Sequence, residues 1–340
     1  MPLEFALDTF GDVTLDSAGA LKPQDQVIRD VIEEAVLADQ VGVDFFGLGE
    51  HHRDDFAISA PEVALAAIAA RTGRIRLGTA VTVLSSDDPI RVFQRFSTLQ
   101  AISNGRAEVI LGRGSFTESF PLFGFDLADY ERLFDEKLDL FARLLRDRKV
   151  SWSGTTRPPL RSQAVYPVPA APFRTWIGVG GTPESVMRAV HYEMPMMLAI
   201  IGGAPQRFRP YVDLYRQSLA QADRPPLPVG VHSPGFVADT DAAAREGIWP
   251  GYKALHDRIG RERGWPATTR DQFEREIAHG SLYVGAPETV ARKIAATVSA
   301  LGLDRFEMKY SSGPVPHGLL MRSVELYGAR VIPLVRDMLS

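Results

Sequence analysis

Short apolar runs alternate with longer segments of helical periodicity along almost the whole chain. A short continuous apolar run bounded by turn residues is typical of a buried strand. Eight such runs are predicted to form strands, at residues 3–10, 44–49, 75–84, 107–111, 175–179, 196–201, 229–236 and 305–309.

The segments between these runs are predicted to be helices that pack on the strands. In residues 24–40, Val27, Val31 and Ala35 fall on one face, and the segment stops before Gly42, as helices often do. Proline suits the first turn of a helix because it lacks a backbone N–H and has a fixed φ. The prolines that mark helix starts are Pro61, Pro89, Pro183, Pro205 and Pro287.

Alternation of strands with helices indicates βαβ units and a parallel sheet. Such a sheet can stay open and doubly wound, or it can close into a barrel. The closed form is favoured because there are eight units and because no Gly-x-Gly-x-x-Gly follows the first strand. We therefore predict an α/β protein, a (β/α)8 TIM barrel that forms one domain over residues 1–340.

Two segments depart from the repeat. Residues 151–174, after the fourth strand, are rich in proline and are predicted to form a loop or hairpin. Residues 241–282, after the seventh strand, are charged and partly helical. Loops that follow barrel strands lie on the catalytic face, so this second insertion is a candidate lid, with a peripheral packing element as the alternative.

Composition narrows the functional classes. The net charge of -4 and the lack of a dense Lys/Arg run argue against a nucleic-acid partner. The absence of cysteine excludes disulfides and thiolate chemistry, so redox chemistry would need a cofactor. No basic segment precedes an apolar core at the N-terminus, and no uncharged stretch is long enough to span a membrane, which predicts a cytoplasmic protein with no membrane partner.

The end of the second predicted strand carries Gly49, Glu50, His51 and His52. Histidine is the commonest general acid or base near neutral pH, and a strand end in a barrel is a catalytic position. Neighbours on a strand point to opposite faces, so the two rings cannot easily share a metal. The alternative is that one histidine is structural and the other is solvated.

Two turns are candidate anion sites. Gly180, Gly181, Thr182 and Ser185 connect a strand to a helix, where Thr182 is the expected N-cap and free N–H groups attract phosphate. The same pattern is also an ordinary helix start, and residues 284–290 repeat it with alanine at the position of Thr182. Arg113, between glycines at the end of the fourth strand, can offer a forked donor to phosphate or can be a surface turn residue.

The other histidines carry less information. His191, His232, His256 and His279 lack a recognisable partner spacing, and we expect them to be structural or exposed. His317 opens the last helix after a loop on the expected catalytic face, so it is a candidate ligand contact.

Several motifs, taken in order, resemble the bacterial luciferase-like flavin monooxygenase family. They are Gly-Glu-His-His at 49–52, Leu-Gly-Thr-Ala-Val-Thr-Val-Leu-Ser at 77–85, Asn-Gly-Arg at 104–106 leading to Leu-Gly-Arg-Gly at 111–114, Phe-Gly at 123–124 before a helix at 129–146, Gly-Gly-Thr-Pro-Glu-Ser at 180–185, and a closing helix at 326–333. No single motif is diagnostic, but their order and spacing are fairly specific over nearly the whole length.

The resemblance implies an enzyme that binds reduced FMN at the carboxyl ends of the barrel strands and uses O2 to oxygenate a small organic substrate. A separate flavin reductase would supply the reduced FMN. The resemblance makes His51 the catalytic residue beside the flavin ring and implies no metal. The implied cofactor-binding residues are Ala80, Val81, Gly112, Arg113, Gly180, Gly181, Thr182 and Ser185.

Three alternatives remain open. The first is an oxidoreductase of the same fold that uses a deazaflavin and transfers hydride. The second is a metal-dependent barrel hydrolase using Glu50, His51 and the pair Asp54 and Asp55, which the adjacent-histidine geometry disfavours. The third is a non-catalytic flavin-binding subunit.

The helix predicted at 61–71 is apolar nearly all round, which indicates burial on two sides. One side would face the barrel and the other a partner. With the following helix, which carries Ile90, Phe93 and Phe96, it predicts a two-fold homodimer interface, as the family resemblance also implies.

Overall fold

Each of the eight predicted apolar runs contains a strand in the computed structural model, which describes residues 2–340. The strands are β1 (Glu4–Thr9), β2 (Phe45–Leu48), β3 (Arg76–Thr79), β4 (Thr82–Val83), β5 (Glu108–Gly112), β6 (Val150–Trp152), β7 (Leu160–Gln163), β8 (Arg174–Val179), β9 (Met196–Ala199), β10 (Val229–Val237), β11 (Tyr283–Gly285) and β12 (Arg305–Lys309).

The main sheet is parallel and nearly closed. Its hydrogen-bonded order is β3, β2, β1, β12, β10, β9, β8, β5, β4, with β11 added beside β10. A parallel bridge between Leu77 and Ala107 brings the two ends of this order together. This arrangement confirms the predicted TIM barrel.

Helices cover the outside of the barrel. They are α1 (Gln24–Gln40), α2 (Pro61–Ala69), α3 (Pro89–Ile102), α4 (Ser119–Phe123), α5 (Tyr130–Arg146), α6 (Pro183–Tyr192), α7 (Arg209–Gln221), α8 (Asp241–Arg263), α9 (Arg270–His279), α10 (Pro287–Leu301), α11 (His317–Leu326) and α12 (Ile332–Leu339). Four of the five marked prolines begin α2, α3, α6 and α10 as predicted, whereas Pro205 begins a short 3-10 turn, Pro205–Phe208, before α7.

The third predicted strand, 75–84, is not continuous. It divides into β3 and β4, and the peptide bond between Ala80 and Val81, which lies between them, is cis. The Glu50 backbone N–H donates to the Val81 carbonyl at 3.2 Å, and the Val83 N–H donates to the Glu50 carboxylate at 2.9 Å. The bend therefore bonds to the loop after β2, a tertiary contact that periodicity does not reveal.

The two departures from the repeat have defined structures. The proline-rich segment contains the antiparallel hairpin of β6 and β7, and the charged segment contains α8 and α9. Within residues 2–340, no helix has both the length and the apolar composition needed to cross a membrane.

Candidate active site

The amino end of the barrel interior is closed by a cluster of paired charges. Arg305 lies 2.9 Å from Glu108 and 2.5 Å from Glu4, and its guanidinium lies 4.5 Å from the ring centroids of both Phe45 and Trp176. Burial alone would raise the pKa of Glu108, but the neighbouring Arg305 charge holds it at about 2. A ligand therefore has access from the carboxyl end.

Small residues line one wall at that carboxyl end. A Cβ on Gly112 would lie 2.5 Å from the Val81 side chain, and one on Gly178 would lie 3.4 Å from it. Glycine at position 112 thus allows the Val81 side chain to lie directly against β5. The structure brings the predicted residues Ala80, Val81 and Gly112 together on this wall.

His51 lies within a group of aromatic rings. Its ring centroid is 4.3 Å from that of Phe10, 4.7 Å from that of Phe56 and 5.1 Å from that of Phe116. Burial, reinforced by the positive charge of Lys309, lowers the pKa of His51 to about 3. The imidazole is therefore neutral at neutral pH and can accept a hydrogen bond or a proton.

His52 has different surroundings from His51, and both lie in the loop after β2 and not on the strand itself. Its Nε2 lies 3.0 Å from one Glu50 carboxylate oxygen, while the other oxygen accepts the Val83 N–H. The Phe123 ring packs edge-on against the imidazole at 5.0 Å. His52 therefore connects the loop after β2 to the bend between β3 and β4.

The two predicted anion turns meet between β5 and α6. Arg113 Nη2 donates to Ser185 Oγ at 3.3 Å, and the hydroxyls of Ser185 and Thr182 lie 2.9 Å apart. Arg188 was missed by the sequence analysis, although it lies one helical turn beyond Ser185 and its position could have been found from that spacing. The Glu131 carboxylate pairs with both Arg113 and Arg188.

The first turn of α6 has the N-terminal geometry predicted for it. Thr182 is the N-cap and accepts the Ser185 N–H, and Gly181 has φ +98°, which favours glycine. A Cβ on Gly180 would meet nothing within 4 Å, so packing does not require glycine there. The repeated turn at α10 differs because Asp241 caps it by accepting the Ala286 N–H at 2.7 Å.

A polar cluster inside the barrel was missed by the sequence analysis. The Nδ1 of His232 lies 2.9 Å from Asp8 and 4.0 Å from Glu307, so His232 is a barrel residue with acidic partners and not an isolated histidine. Charged residues at alternate positions of β12 were the available signal. His317, in contrast, hydrogen-bonds to Glu34 of α1 at 2.9 Å, so its ring has a protein partner and no ligand is needed to explain its position.

The residues of the alternative metal-dependent hydrolase do not assemble into a ligand set. Asp54 pairs with Arg258, and Asp55 pairs with Arg53 at 2.9 Å, while Glu50 is engaged by His52. Among residues 2–340, one group of acidic and imidazole side chains could surround an ion. The ligand atoms of Asp8, His232 and Glu307 all lie within 4.8 Å of one another.

The carboxyl-terminal half of α8 lies over the loops that follow β2 and β5. Arg53, in the first of these loops, pairs with Glu262 at 2.8 Å. Arg263 donates to the Ser115 carbonyl at 3.0 Å, and its guanidinium lies 5.5 Å from the Phe116 ring. These residues line an open cavity of about 660 Å³, so the second insertion has the position expected of a lid.

Comparison with known proteins gives a family match and several curated monooxygenases. The profile of the family described as luciferase-like monooxygenase matches residues 8–305. Over 115 residues the chain is 39% identical to 4-hydroxyprotoasukamycin monooxygenase of Streptomyces nodosus subsp. asukaensis, and over 114 residues it is 37% identical to limonene 1,2-monooxygenase of Rhodococcus erythropolis. These matches cover 34% and 33% of this chain but only 31% and 30% of the relatives' own lengths.

Solved structures with a similar fold match over nearly their whole length. Monooxygenase RslO1 from Streptomyces bottropensis has a TM-score of 0.84 at 24% identity, covering 97% of this chain and 99% of its own. The oxygenating constituent of 3,6-diketocamphane monooxygenase from Pseudomonas putida, solved with FMN, has a TM-score of 0.79 at 19% identity, with 98% of both chains covered. An F420-dependent secondary alcohol dehydrogenase has a TM-score of 0.75 at 18% identity, covering 99% of this chain and 100% of its own.

Proposed function

Because the chain belongs to the luciferase-like monooxygenase family, we propose that it is a flavin-dependent monooxygenase that uses reduced FMN and O2 to oxygenate a small organic substrate. The proposal includes a separate reductase as the source of reduced FMN. The observation that carries it is the donor set around Arg113, Thr182 and Ser185 at the start of α6.

This donor set suits a phosphate monoester. Arg113 and Arg188 supply permanent positive charge, the hydroxyls of Thr182 and Ser185 supply neutral donors, and the first turn of α6 supplies backbone N–H groups. Glu131 pairs with both arginines, so a phosphate would compete with this carboxylate. The wall at Ala80, Val81 and Gly112, at the carboxyl ends of neighbouring strands, would support the ring.

Besides binding the cofactor, the chain's own residues would transfer a proton and close the site. Reduced FMN, when bound, supplies the electrons with which O2 is activated, because side chains alone do not provide such chemistry. His51, neutral and surrounded by Phe10, Phe56 and Phe116, would accept or return a proton in a site from which these rings exclude water. The carboxyl-terminal half of α8 would close the site while substrate is bound.

The test is oxygen consumption by the purified full-length chain. Reduced FMN is generated by an unrelated flavin reductase, and a panel of small organic substrates is screened under ¹⁸O2, with product mass as the readout. Incorporation of one labelled oxygen atom that requires both this chain and reduced FMN is the expected result. Oxygen uptake that only forms peroxide with every substrate would contradict the proposal.

The second candidate is a deazaflavin-dependent oxidoreductase, since an F420-dependent dehydrogenase shares the fold. Hydride transfer between F420 and an alcohol under anaerobic conditions, with no response to reduced FMN, would favour it. A chain that retains FMN on purification but turns over with neither cofactor would be a non-catalytic flavin-binding subunit.

A further inference from the structure

Three ionisable side chains from three adjacent barrel strands meet inside the barrel. Asp8 lies on β1, Glu307 on β12 and His232 on β10, and His232 and Glu307 are partners in the strand register. The His232 Nδ1 lies 2.9 Å from Asp8 Oδ2, and the two carboxylates are fully buried. The His232 side chain keeps 12% of its surface exposed.

The two carboxyl groups of this cluster lack the N–H and hydroxyl donors that buried carboxylates normally have. Within residues 2–340, no such donor bonds to Asp8 Oδ1 or to either oxygen of Glu307, and the two carboxyl groups are close enough to hydrogen-bond to each other when one is protonated. Burial and the adjacent Asp8 charge raise the pKa of Glu307 well above its ordinary value, which favours its carboxylic-acid form.

Other buried carboxylates of the barrel show that this lack of partners is specific. Glu108, equally buried, accepts from Arg305 and from the Trp176 ring N–H at 3.0 Å. Asp12 accepts from Lys309 at 3.0 Å, from the Ser311 hydroxyl and from a backbone N–H. The fold therefore compensates acids elsewhere in the interior and leaves the Asp8 cluster with spare acceptors.

The cluster adjoins the aromatic group of the candidate active site. The His232 ring lies parallel to the Phe10 ring at 6.3 Å, and Phe10 in turn contacts His51. Because Asp8 engages Nδ1, the nitrogen left for a ligand is Nε2. The charged and titratable groups around the cluster include Arg305 and Lys309 of β12, Glu108 of β5, Asp12 after β1, His51 after β2, and the buried Tyr310 and Tyr327.

We propose that Asp8, His232 and Glu307 form a proton-transfer site that takes a hydroxyl group of the substrate. The substrate O–H bond breaks, its proton passes to His232 Nε2, and the electron pair stays on the oxygen. Asp8 is the positioning residue that holds the imidazole and stabilises its protonated form, and Glu307 donates a hydrogen bond from its carboxylic acid. The proton returns to the oxygen when product leaves.

This inference rests on the proposed function for its substrate, so its test uses neither flavin nor turnover. The full chain is labelled with ¹⁵N at histidine and titrated with p-cresol and with p-xylene, which replaces the hydroxyl by a methyl group. The expected result is that His232 Nδ1 carries the proton, that Nε2 shifts only with p-cresol, and that p-cresol binds about tenfold more tightly, the value of one hydrogen bond.

Variants separate the roles within the cluster. His232→Phe keeps the ring against Phe10 and should abolish the preference for p-cresol, while Asp8→Asn should change which ring nitrogen carries the proton. Glu307→Gln resembles the protonated acid and should keep the preference, and it should remove a carboxylic-acid infrared band that persists at pH 8 in the parent. Glu34→Gln, at the His317 pair outside the barrel, is the matched control and should leave the His232 signals and the preference for p-cresol unchanged.

Three outcomes would overturn the proposal. They are equal binding of the two probes, a proton on Nε2 of His232 in place of Nδ1, and stoichiometric binding of Zn²⁺ or Mn²⁺ that Asp8→Asn abolishes, which would make the cluster a metal site. Hydroxyl recognition in a chain that consumes no O2 with reduced FMN would support the cluster and contradict the proposed function. The two proposals thus fail separately.

Discussion

At the scale of single residues, the sharpest expectation concerns the adjacent histidines. His51→Ala should lower turnover by about 10²–10⁴, the usual contribution of a positioned acid or base, and leave FMN affinity nearly unchanged. Because its pKa is about 3, His51 should add no ionisation near pH 6.5 to the rate profile. The measurement is substrate oxygenation at saturating reduced FMN across pH.

His52→Ala is the natural control for this prediction. It removes the contact with Glu50 and the packing against Phe123, so it should lower thermal stability more than turnover. Near-normal turnover of His51→Ala would show that His51 is not catalytic. A larger loss of turnover in His52→Ala would show that His52 is the catalytic residue and His51 the structural one.

Arg113 is expected to discriminate between FMN and riboflavin. Arg113→Ala should weaken FMN binding by about 1.5–3 kcal/mol, the range for hydrogen bonds to charged groups, and weaken riboflavin binding much less. Glu131→Gln should act in the opposite direction on FMN because it removes the carboxylate that pairs with Arg113 and Arg188. Calorimetric titration measures both ligands, and equal losses for FMN and riboflavin would make Arg113 a structural turn residue.

At the scale of elements, we expect the last turns of α8 to separate transiently from the barrel loops. Arg53 keeps Asp55 and Glu118 as partners, so Glu262→Gln should hardly change the melting temperature. It should speed amide hydrogen exchange in the last turns of α8, because Arg53 loses its partner on that helix. Glu246→Gln removes a pair near the other end of α8 and should leave those turns unchanged. Unaltered exchange in Glu262→Gln would show that other contacts hold α8 closed.

The contact between α1 and α11 should make stability depend on pH. The hydrogen bond to Glu34 raises the pKa of His317 above its ordinary value of 6.5, so the folded state binds this proton more tightly than the unfolded state. Its contribution is fully present below pH 6.5 and is lost as pH rises through the higher folded-state pKa. Urea unfolding of the parent and His317→Gln should therefore differ more at pH 6 than at pH 9. A difference that grows with pH would contradict this.

At the scale of the whole molecule, we expect a homodimer formed through α2 and α3. Val63 of α2 is 73% exposed and Ile102 at the end of α3 is 49% exposed, although both helices also pack on the barrel. Val63→Glu should therefore yield monomers because it would bury a charge in the interface. Light scattering at micromolar concentration measures the mass, and Met338→Glu, at an exposed apolar residue of α12, is the control. A parent chain that is purely monomeric would rule out the predicted interface.

The sequence by itself determined the alternation of strands and helices, the barrel that follows from eight such units, and the local features of the candidate site. Those features depend on neighbours in the chain. The N-cap Thr182 and the helix start at Pro183 follow from residue types over a few positions, so the local sequence sufficed to predict them. His51 and His52 lie in the loop after β2, which ends at Leu48, so strand alternation does not explain their different surroundings.

Only the tertiary structure decided which distant side chains meet. Strand periodicity indicates that Asp8 and Glu307 point inward, but it does not indicate which inward-facing residues lie at the same height along the barrel axis. That is set by the register with which the closed barrel pairs its strands. His232 therefore looked isolated in the sequence, although closure brings it to Asp8 across 224 residues. The break between β3 and β4 has the same origin, since the bonds that hold it come from Glu50.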